Sequence, residues 1–187
     1  MPAEIKRLII NHCGPVLMGY KPAAMFMLRS GGAHGALADL LPARLDLIVL
    51  RESEGGLLVL VFEKELLEKT LVEAASSNAH IRAALTGKGY PLDVSIFEFL
   101  KQLKKQFASE QFPHEVGLFL GYPVDDVLGF VKHKGQNYKF CGYWKVYGDV
   151  ERAKARFRQY DECRECIKAA FQNAPSAAGP VHAGLLA

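Results

Sequence analysis

The stretch from Phe112 to Tyr147, FPHEVGLFLGYPVDDVLGFVKHKGQNYKFCGYWKVY, gathers two of the six His, one of the four Cys, four of the seven Tyr and the only Trp of this chain. His114 and Glu115 are adjacent, and an imidazole beside a carboxylate can do acid–base work. Further on, Cys141 stands between Lys139 and Lys145, with Trp144 and Tyr147 close by. A thiol flanked by ammonium groups is a candidate nucleophile, because neighbouring cations favour the thiolate. Lysines can hold an anionic group, and Trp and Tyr can stack on a flat ligand. His114, Glu115 and Cys141 are therefore the candidate catalytic residues, and Trp144, Lys145 and Tyr147 the candidate ligand contacts. His12, Cys13 and Lys21 are of types that could join the same site from the N-terminal end.

Each of these residues also has a plainer explanation. Glu115 falls early in a helical turn and can bond back to the backbone N–H near Phe112, which brings no capping oxygen of its own. Free cysteines are among the most buried residues and usually fill space. Gly142 could let a ligand approach the backbone beside Trp144, or mark a bulge.

The elements that must position these groups are legible from local signals. Pro113 suits the first position of a helix, with Gly121 ending it. Pro123 opens a second helix with Val124, Val127, Leu128 and Val131 as its buried stripe and Gly135 as its stop. Asp125 and Asp126 suit the positive end of that helix, and Lys132, His133 and Lys134 its negative end. Tyr138 to Tyr147 reads as one strand, with Tyr138, Phe140, Gly142, Trp144 and Val146 on its apolar face. Ahead of this segment, Ala24–Leu28, Leu45–Leu50 and Leu57–Phe62 read as strands, the last two joined by a polar hairpin link. Their apolar runs are nearly continuous, which predicts a sheet covered on both faces.

Helices are predicted for Ala3 to Asn11, broken at Gly14-Pro15, and for Lys64–Ala75 and Ala79–Leu85. Another begins at the capping box Ser95-x-x-Glu98, with Ile96, Phe99, Leu100, Leu103 and Phe107 inward and Lys101, Lys104 and Lys105 outward. A long final helix is capped by Asp149 and carries the stripe Val150, Ala153, Phe157, Tyr160, Cys163, Ile167 and Phe171. Together these predict an α/β or α+β fold, a mixed sheet of about 3–5 strands flanked by helices on both faces, with a helix-rich C-terminal half. One globular domain over residues 1–171 and a flexible tail over 172–187 are expected.

Composition narrows the function classes. Of 187 residues, 50% are hydrophobic and 23% charged, with a formal net charge of +3. That charge is too small to argue for a nucleic-acid or anionic-membrane partner. No apolar run is long enough to span a bilayer. The N-terminus lacks the pattern of a secretory signal, and 4 Cys placed unevenly do not form a secreted disulfide framework, so a cytoplasmic protein with reduced thiols is expected.

Three alternatives to a small-molecule site can be set against the residues. His12-Cys13, Cys141 and Cys163-x-x-Cys166 are metal-ligand types, but a CxxC inside a helix without a second pair is a weak site. Gly117, Gly121, Val127 and Phe130 fit helix-turn-helix spacing, yet Asp125 and Asp126 would face phosphates, so nucleic acid is disfavoured. A protein–protein module whose aromatic residues form an interface is the third. Gly31, Gly32 and Gly35 mark a loop rather than a phosphate cradle, because no Lys-Ser/Thr follows them.

The blocks HCGPVLMGYK, FPHEVGLFLGYPVDDVLGFV and CGYWKVYGD resemble an uncharacterised bacterial family, domain of unknown function 3793, found mainly in anaerobic Firmicutes. The likeness covers Ile10 to Phe171 and implies an intracellular bacterial protein. The motifs it highlights add Tyr122 to Lys21, Trp144, Lys145 and Tyr147 as candidate ligand-binding residues, with His12 and Cys13 as metal candidates. The resemblance assigns no activity and no cofactor; the expected partner is an unidentified small molecule.

Overall fold

The computed structural model describes residues 3–29, 33–91, 95–109 and 111–173. Gly31, Gly32 and the tail from residue 174 onward lie outside them, whereas Gly35 sits inside a helix. The fold is α+β, and its chain divides into two compact units, Met1–Lys64 with Gln159–Ala187, and Glu65–Arg158.

The first unit is built on a three-stranded sheet. The apolar runs form β1 (Ala23–Leu28), β2 (Leu45–Ser53) and β3 (Gly56–Glu63), in spatial order β1-β3-β2. Both pairings are antiparallel, with Met25 opposite Leu60 and Val49 opposite Val59. The sheet is thus antiparallel throughout rather than mixed: β1 and β2 run the same way, but β3 lies between them. Leu50 is an extra residue on β2, a bulge that shifts the register between Val49 and Arg51. In β3, Val59, Leu60, Val61 and Phe62 are all buried, as its unbroken apolar run requires.

One side of this sheet carries Ala24, Phe26, Leu28, Val59 and Val61, which pack with Ile5, Leu8, Ile9, Leu37 and Ile167. The N-terminal helix does not stop at Gly14-Pro15. It runs as α1 (Ala3–Leu8), widens into a π-turn over Ile9–Cys13, and continues as α2 (Gly14–Leu17). Proline inside a regular helix would collide with the carbonyl four residues back, here that of Asn11. The wider turn relieves that collision, so the helix passes through the proline. Gly14 lies where a Cβ would come within 3.3 Å of the Cys163 carbonyl group, which brings the backbones of α2 and the final helix close together. Helix α3 (Ala33–Ala38) completes this unit with residues from Gln159 onward of the final helix, α9 (Val150–Asn173).

The second unit is mainly helical: α4 (Lys64–Ser77), α5 (Ala79–Gly87), α6 (Ile96–Phe107), the short α7 (Val116–Phe119) and α8 (Val124–His133). Asn78 caps α5 by accepting from the His80 and Ile81 amides, and Ser95 caps α6 by accepting from Phe97 N–H. The stripe predicted on α6 is buried in full. After α7, Gly121 adopts φ 72°, while its N–H and that of Tyr122 bond to the Leu118 and Gly117 carbonyls. That pattern is a Schellman stop, and the left-handed residue at its corner favours glycine. Pro123 then starts α8 from the extended region.

Tyr138 to Tyr147 is not one strand. It forms a small hairpin of β4 (Phe140–Cys141) and β5 (Lys145–Val146), in which Cys141 pairs with Lys145. The chain reverses at Gly142, whose Cβ would lie only 2.3 Å from the Phe157 ring. Gly142 is there for that close packing, which accounts for it without any ligand.

Candidate functional site

The carboxylate of Glu115 is the best-connected polar group in the nominated segment. Glu115 begins α7 but makes no side-chain cap, and its backbone near Phe112 does not receive it. Instead Oε1 accepts from the Tyr90 hydroxyl at 3.1 Å and Oε2 forms an ion pair with Lys88. Both partners come from the exit of α5, which ends in the sequence Lys88-Gly89-Tyr90. Tyr90 is 2% exposed, its ring held between Phe99 at 5.8 Å and Phe119 at 5.9 Å. Burial, followed by the charge of Glu115 and the hydrogen bond to it, pushes the Tyr90 hydroxyl far above its ordinary pKa. Tyr90 is thus a fixed donor. Lys88 is anchored through its carbonyl, which accepts from Gln102 Nε2 and from Gln106 Nε2 of α6.

This ion pair lines a cleft of about 520 Å³ in the second unit. Its walls are apolar: Ile81 and Leu85 from α5, Leu118 from α7, and Val127, Leu128 and Val131 from α8. Lys88, His114 and Glu115 line it as well, with Gln106, Ser109, Gln111 and Phe112. The His114 ring is exposed, 5.0 Å from Phe130 and 5.7 Å from Phe112. Among the described lining residues, this is the one imidazole, a side chain of the type that serves as a general acid or base.

The hairpin residues nominated alongside His114 have other surroundings, and Cys141, Trp144, Lys145 and Tyr147 do not line this cleft. Trp144 is buried, stacked on Tyr122 at 4.8 Å and edge-on to Phe157 at 4.4 Å. Burial raises the pKa of the Tyr122 hydroxyl. Lys145 Nζ donates to the Gly135 carbonyl at 2.7 Å and sits over the Tyr138 ring. Tyr147 stacks on His133 at 5.7 Å, and its hydroxyl is raised by burial and then by the nearby Tyr138 and Asp126. Cys141 is exposed, and Lys139 beside it turns away to the Gly148 carbonyl.

The residue that organises this hairpin is Asp126, which the sequence offered only as a helix-end charge. It is 3% exposed. One oxygen accepts from Trp144 Nε1 at 2.7 Å, the other from the Tyr147 and Gly148 backbone amides at 2.7 and 2.8 Å. The burial of Asp126 also displaces the expected stripe: Val127 is buried, but Val131 is 52% exposed. Lys88, Tyr90 and Asp126 are therefore the residues sequence reasoning missed. A signal existed for the first two, since a lysine and a tyrosine flanking the glycine exit of a helix must place their polar ends somewhere.

His12, Cys13 and Lys21 belong to the first unit. The His12 ring stacks on Phe26 at 5.0 Å, and its pKa is lowered by desolvation, then by Lys21 and Arg164. Cys13 is fully buried, and burial pushes its thiol up to about 12, which disfavours the thiolate a metal needs. Burial lowers the Lys21 ammonium to about 8, and Nζ lies 5.9 Å from the centre of the Tyr160 ring. Among the described residues, no group of three or more His, Cys, Asp or Glu side chains could hold a metal ion. The four cysteines are all free. Among the described residues, no helix is long and apolar enough to cross a membrane.

Fold and cleft together define an α+β protein whose helical unit carries a mainly apolar hollow lined in part by the Lys88–Glu115 ion pair. Residues 9–178 match the family described as Protein of unknown function (DUF3793), and the chain belongs to that family. No curated protein and no solved structure matches it.

Proposed function

We propose that the protein binds a small molecule in the cleft of its second unit. One observation carries this: a hollow of about 520 Å³ lined mainly by apolar side chains, with Lys88, His114 and Glu115 among the polar groups of its wall. Such a combination, apolar surface with few polar groups that fix orientation, is the usual construction of a ligand site. His114 would face the bound molecule and could move a proton; Glu115, tied by two donors, would orient Lys88 rather than react. Cys141, Trp144, Lys145 and Tyr147 support the neighbouring hairpin, so this reading gives them no direct contact with the ligand.

The experiment is a thermal-shift screen of a chemically broad compound set, repeated on Val131→Trp. Val131 lines the cleft yet is 52% exposed, so the larger side chain can be accommodated while it obstructs the hollow. Hits that stabilise the wild type and are lost in a folded Val131→Trp support the proposal. Hits that survive the substitution place binding elsewhere and sink it. A second reading is favoured by Phe112, which lines the same cleft and is 54% exposed. An apolar side chain of a protein partner could occupy the hollow, in which case Phe112→Ser abolishes the complex and the compound screen yields no hits that Val131→Trp removes.

A further inference from the structure

The ion pair in the cleft wall is unequal in what it can still offer a bound molecule. Both oxygens of Glu115 already accept a hydrogen bond, one from Tyr90 and one from Lys88. The Lys88 carbonyl already accepts two, from Gln102 and Gln106. The Tyr90 proton is committed to Glu115. An ammonium carries three donors, so Lys88 has protons to spare after serving Glu115. His114 presents an exposed ring to the same cleft. Within the ion pair the ammonium is the outer member: the Lys88 side chain is 44% exposed and that of Glu115 8%. At the ion pair a molecule in the cleft therefore meets the cation before the carboxylate, and spare donors rather than spare acceptors; Gln106, Ser109 and Gln111 are the other polar side chains of the lining.

We infer that the cleft takes an amphiphile with a single carboxylate head, its hydrocarbon part along Leu85, Leu118, Leu128 and Val131 and its head at Lys88 beside His114. This rests on the small-molecule reading of the same cleft. One lysine and one imidazole suit a monoanion, whereas a phosphate dianion would call for more donors than these two supply. A ligand amine would bring donors to a place that already has them, and would face Lys88 charge to charge. A neutral alcohol could accept one hydrogen bond but would forgo the charge-assisted pair.

The test is calorimetric binding of decanoate, decanol and decylamine to the full chain at neutral pH, below the concentrations at which they aggregate. Decanoate is expected to bind about tenfold or more tightly than either competitor, the factor that one charge-assisted hydrogen bond supplies. In the pair variant Lys88→Met with Glu115→Gln, which leaves no buried charge alone, decanoate loses its advantage and binds at the level of decanol in that same variant. The head-group ranking in the wild type needs no variant, so a misfolded variant does not rescue the inference. Equal binding of all three, abolished by Val131→Trp, overturns the carboxylate preference and leaves the cleft as the site. Preference for decylamine overturns it too, and assigns the head to Glu115. If none of the three binds, the inference falls; if the broad screen is also empty, the small-molecule reading falls with it.

Discussion

Glu115 and Asp126 are both buried carboxylates, and both come from the Phe112–Tyr147 segment, yet they do different work. Asp126 accepts three hydrogen bonds from an indole and two backbone amides, none of which titrates in the ordinary range. Beside it lies a hollow of only about 70 Å³. Glu115 accepts from a phenol and an ammonium and lines a cleft of about 520 Å³. Neutral, rigid donors and no room make a structural clamp. A half-exposed cation and open space beside a similarly buried acid make a place where a ligand can compete for the partner.

That contrast can be broken or sharpened by experiment, and the largest effect is expected at the clamp. Asp126→Ala leaves the Trp144 N–H and two amides without their acceptor. It should cost roughly 3 kcal/mol or more in urea denaturation. A loss below about 1 kcal/mol would mean the hairpin does not depend on the carboxylate. Glu115→Ala should cost less, roughly 2 kcal/mol, because Lys88 is half-exposed and can return to water while only Tyr90 is stranded. Equal losses at the two positions would erase the distinction drawn between them.

Tyr90→Phe should cost about 1 kcal/mol at neutral pH. Its pH dependence has a definite sign. The folded protein keeps the Tyr90 proton above the ordinary value of 10.0, where the unfolded chain releases it. Native stability therefore falls as pH rises through that range, and the variant is spared the fall. The gap between wild type and Tyr90→Phe should narrow above pH 10.0; a widening gap would contradict the burial of this phenol. The smallest effect belongs to the hairpin thiol. Cys141→Ser should change stability by no more than about 0.5 kcal/mol, as exposed substitutions do. Iodoacetamide should label Cys141 and Cys166 in the folded protein and spare Cys13 and Cys163 until it unfolds.

Much of the fold was legible because its signals are local. The hairpin of β2 and β3, the α6 stripe, the Asp149 cap on α9 and the Gly121 stop all follow from residues within a few positions of one another. Alternation misled at Tyr138–Tyr147, since period-two spacing cannot reveal that Phe157 presses on Gly142 and turns the chain. Capping logic misled at Glu115 for a related reason: its partners, Lys88 and Tyr90, lie 27 and 25 positions earlier. Asp126 looked like a dipole partner because its three donors belong to a loop that sequence alone cannot fold back onto α8. In each case the missing information was a side-chain contact across long sequence separation.

The widened turn at Ile9–Cys13 also makes the amino-terminal rod sensitive to its length. Removing any one residue there would let a regular spiral form, and each residue of a regular spiral advances about 100°. Ile5 and Leu8 would swing off the sheet by about that angle, and Pro15 would be driven into the oxygen of the preceding coil. Swapping the exposed side chains Asn11 or His12 should therefore be forgiven far more readily than losing any residue of the turn.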